Sequence, residues 1–370
     1  MFVQSMARAM VERGHEIVVV GVGDGVDDSD VRSTGVRVIT LRVTPLRGFR
    51  FFHRRWRLYR WLSLACARGR VDLVEIPDYD GMLPFPVRDL RVVVRLHLTH
   101  SVIAAALRKR PGYIARWVEK STLARNSAWI ATSQFVLAET ERVFGVHPRQ
   151  CVVIQNPATM EESVFATEST ALKDYVLFAG SVSVRKGLIN LAHAAKLFLS
   201  RHAGLHWVLV GRIAEDALVD KIRDILGPSL TSRVHFLGRL SHAATLGYMQ
   251  KARAFILLSP IEASPLVVLE AMASGAVVVC GRQGPGPEMI EDGVSGLLVN
   301  ASDPEDVCEK VSFLLADPIS ADRIAQRARA VVGELFTIDR CAAETEVFYR
   351  RCIKGDDPED STFRNDRRPS

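Results

Sequence analysis

Twelve short apolar runs, most of them separated by stretches with helical spacing, punctuate this 370-residue chain, and that alternation limits its fold more than any other feature. The runs lie at 16–21, 36–41, 72–76, 91–96, 128–132 and 151–155, and after a polar stretch at 175–180, 206–211, 233–237, 254–259, 276–280 and 296–299. Continuous apolar runs of this length read as strands buried on both faces, so the expectation is an α/β protein with parallel sheets covered by helices. The length exceeds what one core usually organises and argues for two domains. The polar, aperiodic segment 158–174 reads as their linker. This divides the chain into an N-terminal domain over 1–165 and a C-terminal domain over 172–335. A helix over 336–354 is expected to pack back toward the first domain, and the charged tail 355–370 to stay disordered. Two doubly wound, Rossmann-like sheets would then face a central cleft, with ligands at the carboxyl ends of the strands.

The first residues, MFVQSMARAMVERGHEIVVVG, read as a helix followed by a strand, the second half of an α/β unit without its first strand. No apolar run approaches the ~20 residues of a membrane span, and no signal-peptide core is present. The six cysteines are scattered without a CxxC pair, which suits reduced thiols in a cytoplasmic protein and supports neither disulfides nor a zinc site. Residues 1–165 hold 24 Lys and Arg against 16 Asp and Glu, and the remainder 24 against 26. Much of the excess lies in 41–70, where nine arginines interleave with Phe49, Phe51, Phe52, Trp56, Tyr59 and Trp61. Arginines plus interfacial aromatics suit a helix lying on an anionic membrane surface. The plainer reading is a solvated basic helix whose aromatics face the core. No nucleic-acid module is visible, and no nucleic-acid partner is expected.

Chemistry concentrates in AFILLSPIEASPLVVLEAMASGAVVVCG (254–281). A strand ends near Pro260, a loop carries Glu262, Ser264-Pro265 reads as an N-cap with Pro at the first helical position, and Gly275 closes the helix. Glu270 sits mid-helix among apolar residues, where a carboxylate is costly unless something hydrogen-bonds it. The helix start offers unpaired N–H groups to an anion such as phosphate. A phosphate at the helix start and a hydroxyl-rich ligand held by two carboxylates is one reading; a surface-reaching Glu270 and a loop Glu262 is the other. DDSD (27–30) reads as a polar loop, and GVGDG (21–25) as half a dinucleotide fingerprint with no helix directly after it.

The spacing of Glu262 and Glu270 in EASPLVVLEAMASGAVVV resembles the E-x7-E segment of the retaining nucleotide-sugar glycosyltransferases of family 4, which have the GT-B fold. YVLFAGSVSVRKGLINL (175–191), WVLVGR (207–212), VHFLGRLS (234–241), PEMIEDGVSGLLV (287–299) and IQNPA (154–158) resemble further family segments in the same order. VEIPDYDG (74–81) and VVRLHLTHS (93–101) are similar to the N-terminal half of bacterial members, so the resemblance runs to about residue 353.

The resemblance implies roles for individual residues. Glu262 would contact hydroxyls of the donor sugar, Glu270 the ribose hydroxyls, and Lys186 the diphosphate. His97 would face the donor sugar near the bond being broken, against the alternative of a satisfied core histidine. Gly180, Gly211, Pro265, Leu266, Val267 and Glu288 complete the implied donor site. Many members carry an arginine directly after the strand glycine; here Ser181 stands there, and Arg185 is the candidate replacement. Pro265 stands where relatives often have glycine, which removes one backbone N–H but leaves those of Leu266 and Val267. GPGPE (284–288) keeps Glu288 in a stiffer loop.

The implied activity is transfer of a sugar from a UDP- or GDP-sugar to a carbohydrate, lipid-linked or small-molecule acceptor, with retention and without a metal or other cofactor. The location would be cytoplasmic, peripheral on the membrane's inner face. Family members usually begin with a strand and a glycine-rich loop. The reading favoured is that Met1 is an internal methionine; a true truncation would leave an inactive nucleotide-sugar-binding remnant. A GT-B epimerase is a third reading.

Overall fold

The computed structural model describes residues 2–23, 28–31, 35–43, 49–158 and 172–354. Most of the expected linker and the whole tail 355–370 lie outside the described residues. The N-terminal half runs α1 (Phe2–Glu12), β1 (Val18–Gly23), β2 (Asp28–Val31), β3 (Arg37–Arg42), α2 (Arg50–Ala67), β4 (Leu73–Pro77), β5 (Arg91–Leu96), α3 (His100–Ala106), α4 (Tyr113–Arg125), β6 (Ala128–Ala131), α5 (Gln134–Phe144) and β7 (Gln150–Val153). The second half runs β8 (Tyr175–Ala179), α6 (Leu188–Arg201), β9 (His206–Val210), α7 (Asp216–Leu226), α8 (Pro228–Thr231), β10 (Val234–Gly238), α9 (His242–Lys251), β11 (Ala254–Leu257) and α10 (Leu266–Ser274). It continues with β12 (Val278–Gly281), α11 (Gly286–Met289), β13 (Leu297–Val299), α12 (Pro304–Ala316), α13 (Pro318–Leu335) and α14 (Ile338–Lys354).

All twelve apolar runs form strands. One strand was not expected: Asp28–Val31, read as part of a polar loop, pairs antiparallel with β3. Backbone pairing at a sheet edge needs no apolar pattern, which is why the residue types did not announce it.

In the second half the strands make one parallel sheet in the order β10-β9-β8-β11-β12-β13. Its centre is dry: every residue of β8, from Tyr175 to Ala179, is buried. Helix α6 covers it with Leu188, Leu191, Ala192, Ala195, Phe198 and Leu199, the spacing that puts one apolar stripe against a sheet. Each fully buried leucine or phenylalanine among them contributes about 1.5–3 kcal/mol. Strand order reverses between β8 and β11, so their two following loops part at the carboxyl edge and leave a crevice.

The N-terminal half has two sheets, a parallel one ordered β4-β5-β6-β7 and a smaller one ordered β1-β3-β2. β1 and β4 are both sheet edges, yet Val20, Val22, Ile39 and Leu41 pack into the same core as Ile76, Val94 and Leu96. The two halves meet where the chain crosses between them, with the Ala158 amide donating to the Phe336 carbonyl at 2.8 Å. Helix α14 then lies along α1 and reaches β4 and β5. Tyr349 donates to Glu75 Oε2 at 2.6 Å, and the buried Arg95 grips both Glu75 oxygens at 2.8 Å and Thr345 Oγ1 at 3.2 Å. Burial pushes the Cys151 and Cys280 thiols up to about 12, which leaves them poor nucleophiles.

Candidate functional site

A cavity of about 650 Å³ opens at the carboxyl edge of the second-half sheet, over the reversal point. Its floor is Ala179 and Gly180 at the end of β8 and Val210 and Gly211 at the end of β9; its wall is Ser264, Pro265, Leu266 and Val267 at the start of α10. Gly211 sits there at φ +140, with its Cα so close to the Gly180 carbonyl that a Cβ would lie 1.8 Å from that oxygen. The two strand-end loops can touch only because this position has no side chain.

Lys186 and Glu262 bridge the reversal point from opposite sides. Lys186 closes a single 3-10 turn after β8, Glu262 lies in the loop after β11, and Nζ stands 2.5 Å from Glu262 Oε1. Both side chains are mostly buried, 14% and 12% exposed, and both line the cavity. Helix α10 starts one residue later than expected: Pro265, not Ser264, is the N-cap, and no side chain caps the helix. Pro265 is extended at ψ 104 and its carbonyl accepts from the Val268 amide, leaving the Leu266 and Val267 amides at the cavity wall without an intrahelical acceptor.

Of the residues singled out in the sequence, the structure therefore brings together Gly180, Lys186, Gly211, Glu262, Pro265, Leu266 and Val267. Arg185, Glu270, Glu288 and His97 do not line the cavity. Glu270 is nearly buried inside α10, and its Oε1 lies 3.1 Å from His242 Nε2 in the first turn of α9. Glu288 points at the other half of the chain, where its two oxygens accept from the Gln134 and Phe135 amides, at 2.7 and 2.8 Å, at the start of α5. Burial raises its carboxyl above the usual range, against those two backbone donors. Beside it Ser133 Oγ donates to the Ala263 carbonyl at 2.7 Å and Gln155 Nε2 to the Glu288 carbonyl at 3.0 Å, so this cluster ties the halves together next to the cavity.

His97 directly follows β5 in the N-terminal half, with its ring beside those of Phe2 (5.8 Å) and Tyr79 (6.5 Å). Burial, with the nearby Arg95 charge, pushes its imidazole down to about 4, so the ring is neutral near pH 7. Its amide donates to Asp78 Oδ1 at 2.8 Å. Asp78 is fully buried, its Oδ2 has no hydrogen-bond partner among the described residues, and burial pushes its carboxyl up to about 7. The sequence reading passed over Asp78. The signal was an acid placed directly after a strand, in the PDYDG that begins with the last residue of β4.

That raised carboxyl makes a signed prediction. An unfolded aspartate titrates near 3.9, so the folded protein holds an extra proton between about pH 4 and 7 and loses stability as pH rises through that window. Asp78→Asn removes the effect and keeps the acceptor for His97. The variant's melting temperature should gain on the wild type from pH 5 to pH 8, by the equivalent of roughly 2–4 kcal/mol. A difference that stays constant over that range would show that Asp78 is not held protonated.

Two further cations line the cavity that the sequence reading missed. Arg212 follows Gly211 at the end of β9 and Arg239 follows β10; both are exposed, and among the described residues neither side chain makes an ion pair or hydrogen bond. The Arg212 carbonyl accepts from the Val182 amide at 2.9 Å, beside Ser181. An arginine one residue past a strand glycine was the available signal. Chemically, the cavity offers two unpaired arginines, one lysine balanced by a carboxylate, and a helix start, which together suit a multiply charged anion joined to a hydroxyl-bearing group.

Comparisons with known proteins bear on this geometry. The family described as "Glycosyl transferases group 1" matches residues 160–331, and "Glycosyltransferase Family 4" matches residues 1–162. A glycogen synthase of Mycobacterium tuberculosis (strain ATCC 25618 / H37Rv) is 24% identical over 384 residues, covering 96% of this chain and 91% of its own. Sucrose-phosphate synthase from Thermosynechococcus elongatus superposes with a TM-score of 0.78 at 21% identity, over 94% of this chain and 92% of that one. The Anabaena HepE protein in complex with UDP and glucose superposes with a TM-score of 0.69 at 18% identity, over 93% and 94%.

Proposed function

The chain belongs to the family 4 glycosyltransferases, with the GT-B fold and sugar-transfer activity, and we propose that it moves a sugar from a UDP- or GDP-sugar held in the cavity over β8 and β11, with retention at the anomeric carbon. The observation that carries this reading is the Lys186–Glu262 pair spanning the reversal point beside an open helix start. A diphosphate entering there competes for Lys186 as a multiply charged anion. Displaced from the lysine, the Glu262 carboxylate is left to accept hydrogen bonds from sugar hydroxyls, its role by resemblance. Charge on the departing diphosphate then develops next to Lys186, Arg212 and the Leu266 and Val267 amides, groups set in place before the reaction. With that much positive charge in the protein, the proposed reaction calls for no metal. UDP bound in the similarly folded HepE protein supports a nucleotide-sugar donor. The acceptor would be a carbohydrate, lipid-linked or small molecule, approaching from the side of His97.

Arg212 takes the part first given to Arg185, because it lines the cavity and Arg185 does not. Arg212→Ala should weaken UDP binding in a calorimetric titration by about ten- to thirtyfold, the worth of one charge-assisted contact, with Arg212→Lys recovering part of it. Arg185→Ala should change it less than about twofold. The reverse ranking would return the assignment to Arg185. We also propose that the basic segment 41–70 meets an anionic membrane surface. Among the described residues no helix is long and apolar enough to cross a membrane.

A further inference from the structure

Helix α2 turns its aromatics outward. Phe52, Trp56 and Tyr59, spaced to share one face, are exposed, as is Phe49 before them at 73%. The adjoining face, about a quarter-turn round the helix, buries Leu58, Leu62 and, unexpectedly, Arg55. Arg55 donates to the carbonyls of Gly81 at 3.0 Å, Phe51 at 2.7 Å and Asp80, which fastens α2 to the 3-10 turn 79–81. The reading in which these aromatics face the core is therefore wrong for four of the six, Phe49, Phe52, Trp56 and Tyr59.

A second exposed aromatic group lies on the other side of that turn. Tyr113 (85% exposed), Ile114 and Trp117 project from the first turns of α4, and Phe85 meets Trp117 with ring centroids 6.3 Å apart. Leading into them is the exposed run Arg108-Lys109-Arg110. The one acid between residues 100 and 125, Glu119, is fully buried and accepts from the His100 and Ser101 amides. Gly81 lies so close to α4 that a Cβ would come within 2.5 Å of the Val118 carbonyl carbon. The turn is thus clamped between α2 and α4, and it carries Tyr79, whose ring neighbours His97.

We infer that Phe85, Tyr113, Ile114 and Trp117, with Arg108, Lys109 and Arg110, form a second membrane-contacting lobe that acts with α2 to seat the N-terminal half on an anionic bilayer. Aromatic and aliphatic side chains bury at the level of the headgroups while the cations meet anionic lipid, and the near absence of outward acids removes the repulsion. Because both lobes grip turn 79–81, docking holds the His97 side of the cleft at the lipid surface. The acceptor is then a lipid-borne molecule, a consequence that rests on the glycosyltransferase reading, whereas the surface itself does not.

The test is co-sedimentation of the full chain with phosphatidylcholine vesicles, with and without a third of phosphatidylglycerol, alongside a UDP titration. The wild type should bind the anionic vesicles and not the neutral ones. Tyr113→Ser/Ile114→Ser/Trp117→Ser, with α2 intact, should weaken that binding by roughly tenfold and leave UDP affinity unchanged. If the triple variant does not fold, Arg108→Gln/Lys109→Gln/Arg110→Gln in the exposed turn should weaken binding several-fold. Vesicle binding undiminished in the folded variants would overturn the second lobe. So would a wild-type dimer that the triple variant dissociates in sedimentation velocity, because a second copy would then be the occupant. Loss of UDP binding by the wild type would count against the donor site alone.

Discussion

Lys186→Met should cut sugar transfer by about three orders of magnitude and weaken UDP binding by roughly ten- to a hundredfold. Removing one preorganised positive group from beside developing oxyanion charge typically costs about 2.7–4 kcal/mol. Here the loss is compounded, because the variant leaves the Glu262 carboxylate, 12% exposed, without its partner at 2.5 Å and facing the incoming diphosphate. The two positions should therefore be strongly non-additive. Adding Glu262→Gln to Lys186→Met should restore about tenfold in UDP affinity by removing the repulsion, yet restore no transfer, because both proposed chemical roles are gone. Transfer is followed with whichever of UDP-glucose or GDP-mannose the wild type consumes, and affinity by calorimetry. Additive effects of the two substitutions on UDP affinity would mean that the pair does not respond to the diphosphate.

The second large effect concerns backbone, not charge. Gly211→Ala would place a Cβ 1.8 Å from the Gly180 carbonyl oxygen, in a conformation, φ +140, that non-glycine residues rarely adopt. Neither partner is a flexible side chain, so the loops after β8 and β9 must separate and the Gly211 amide must leave the Gly238 carbonyl it now meets at 2.7 Å. Destabilisation of about 3 kcal/mol or more is expected, a fall in melting temperature of roughly 6–12 °C for a domain of this size, together with loss of UDP binding even where the protein remains folded. Thermal melts and titration at low temperature separate the two. A variant that melts and binds like the wild type would show that the loops do not need this contact.

The alternation of strands and helices was most legible where strands such as β8, β11 and β12 are buried on both faces and have few polar positions to disguise them. Residues 175–179 and 276–280 leave little else to read. β2 was illegible for the converse reason, since Asp28, Ser29 and Asp30 carry no apolar pattern and pair through the backbone at a sheet edge. In α2 arginines and aromatics share the same helical period, and an arginine's apolar stem and five donors let it be the buried partner, as Arg55 is against Gly81 and Asp80. Within the site, Lys186 was legible only through the family resemblance, and Glu262 through its spacing from Glu270 and that same resemblance; the structure adds that the two flank the strand-order reversal. Arg212 was passed over although it directly follows the glycine after β9, because an exposed arginine carries no burial signal to single it out. Nor could sequence reveal that Glu288 turns away to the start of α5, because that contact joins residues 154 positions apart through the packing of the two halves.

One titration tests the central claim, that the cavity between Gly180, Gly211 and the start of α10 holds a nucleoside diphosphate. UDP, GDP and ADP are titrated separately into the full chain and into its Lys186→Met variant, with heat as the readout. The account predicts micromolar binding of at least one of the three to the wild type and at least about tenfold weaker binding of the same nucleotide to the variant. Wild-type binding of none of them, or binding that Lys186→Met leaves intact, would contradict it.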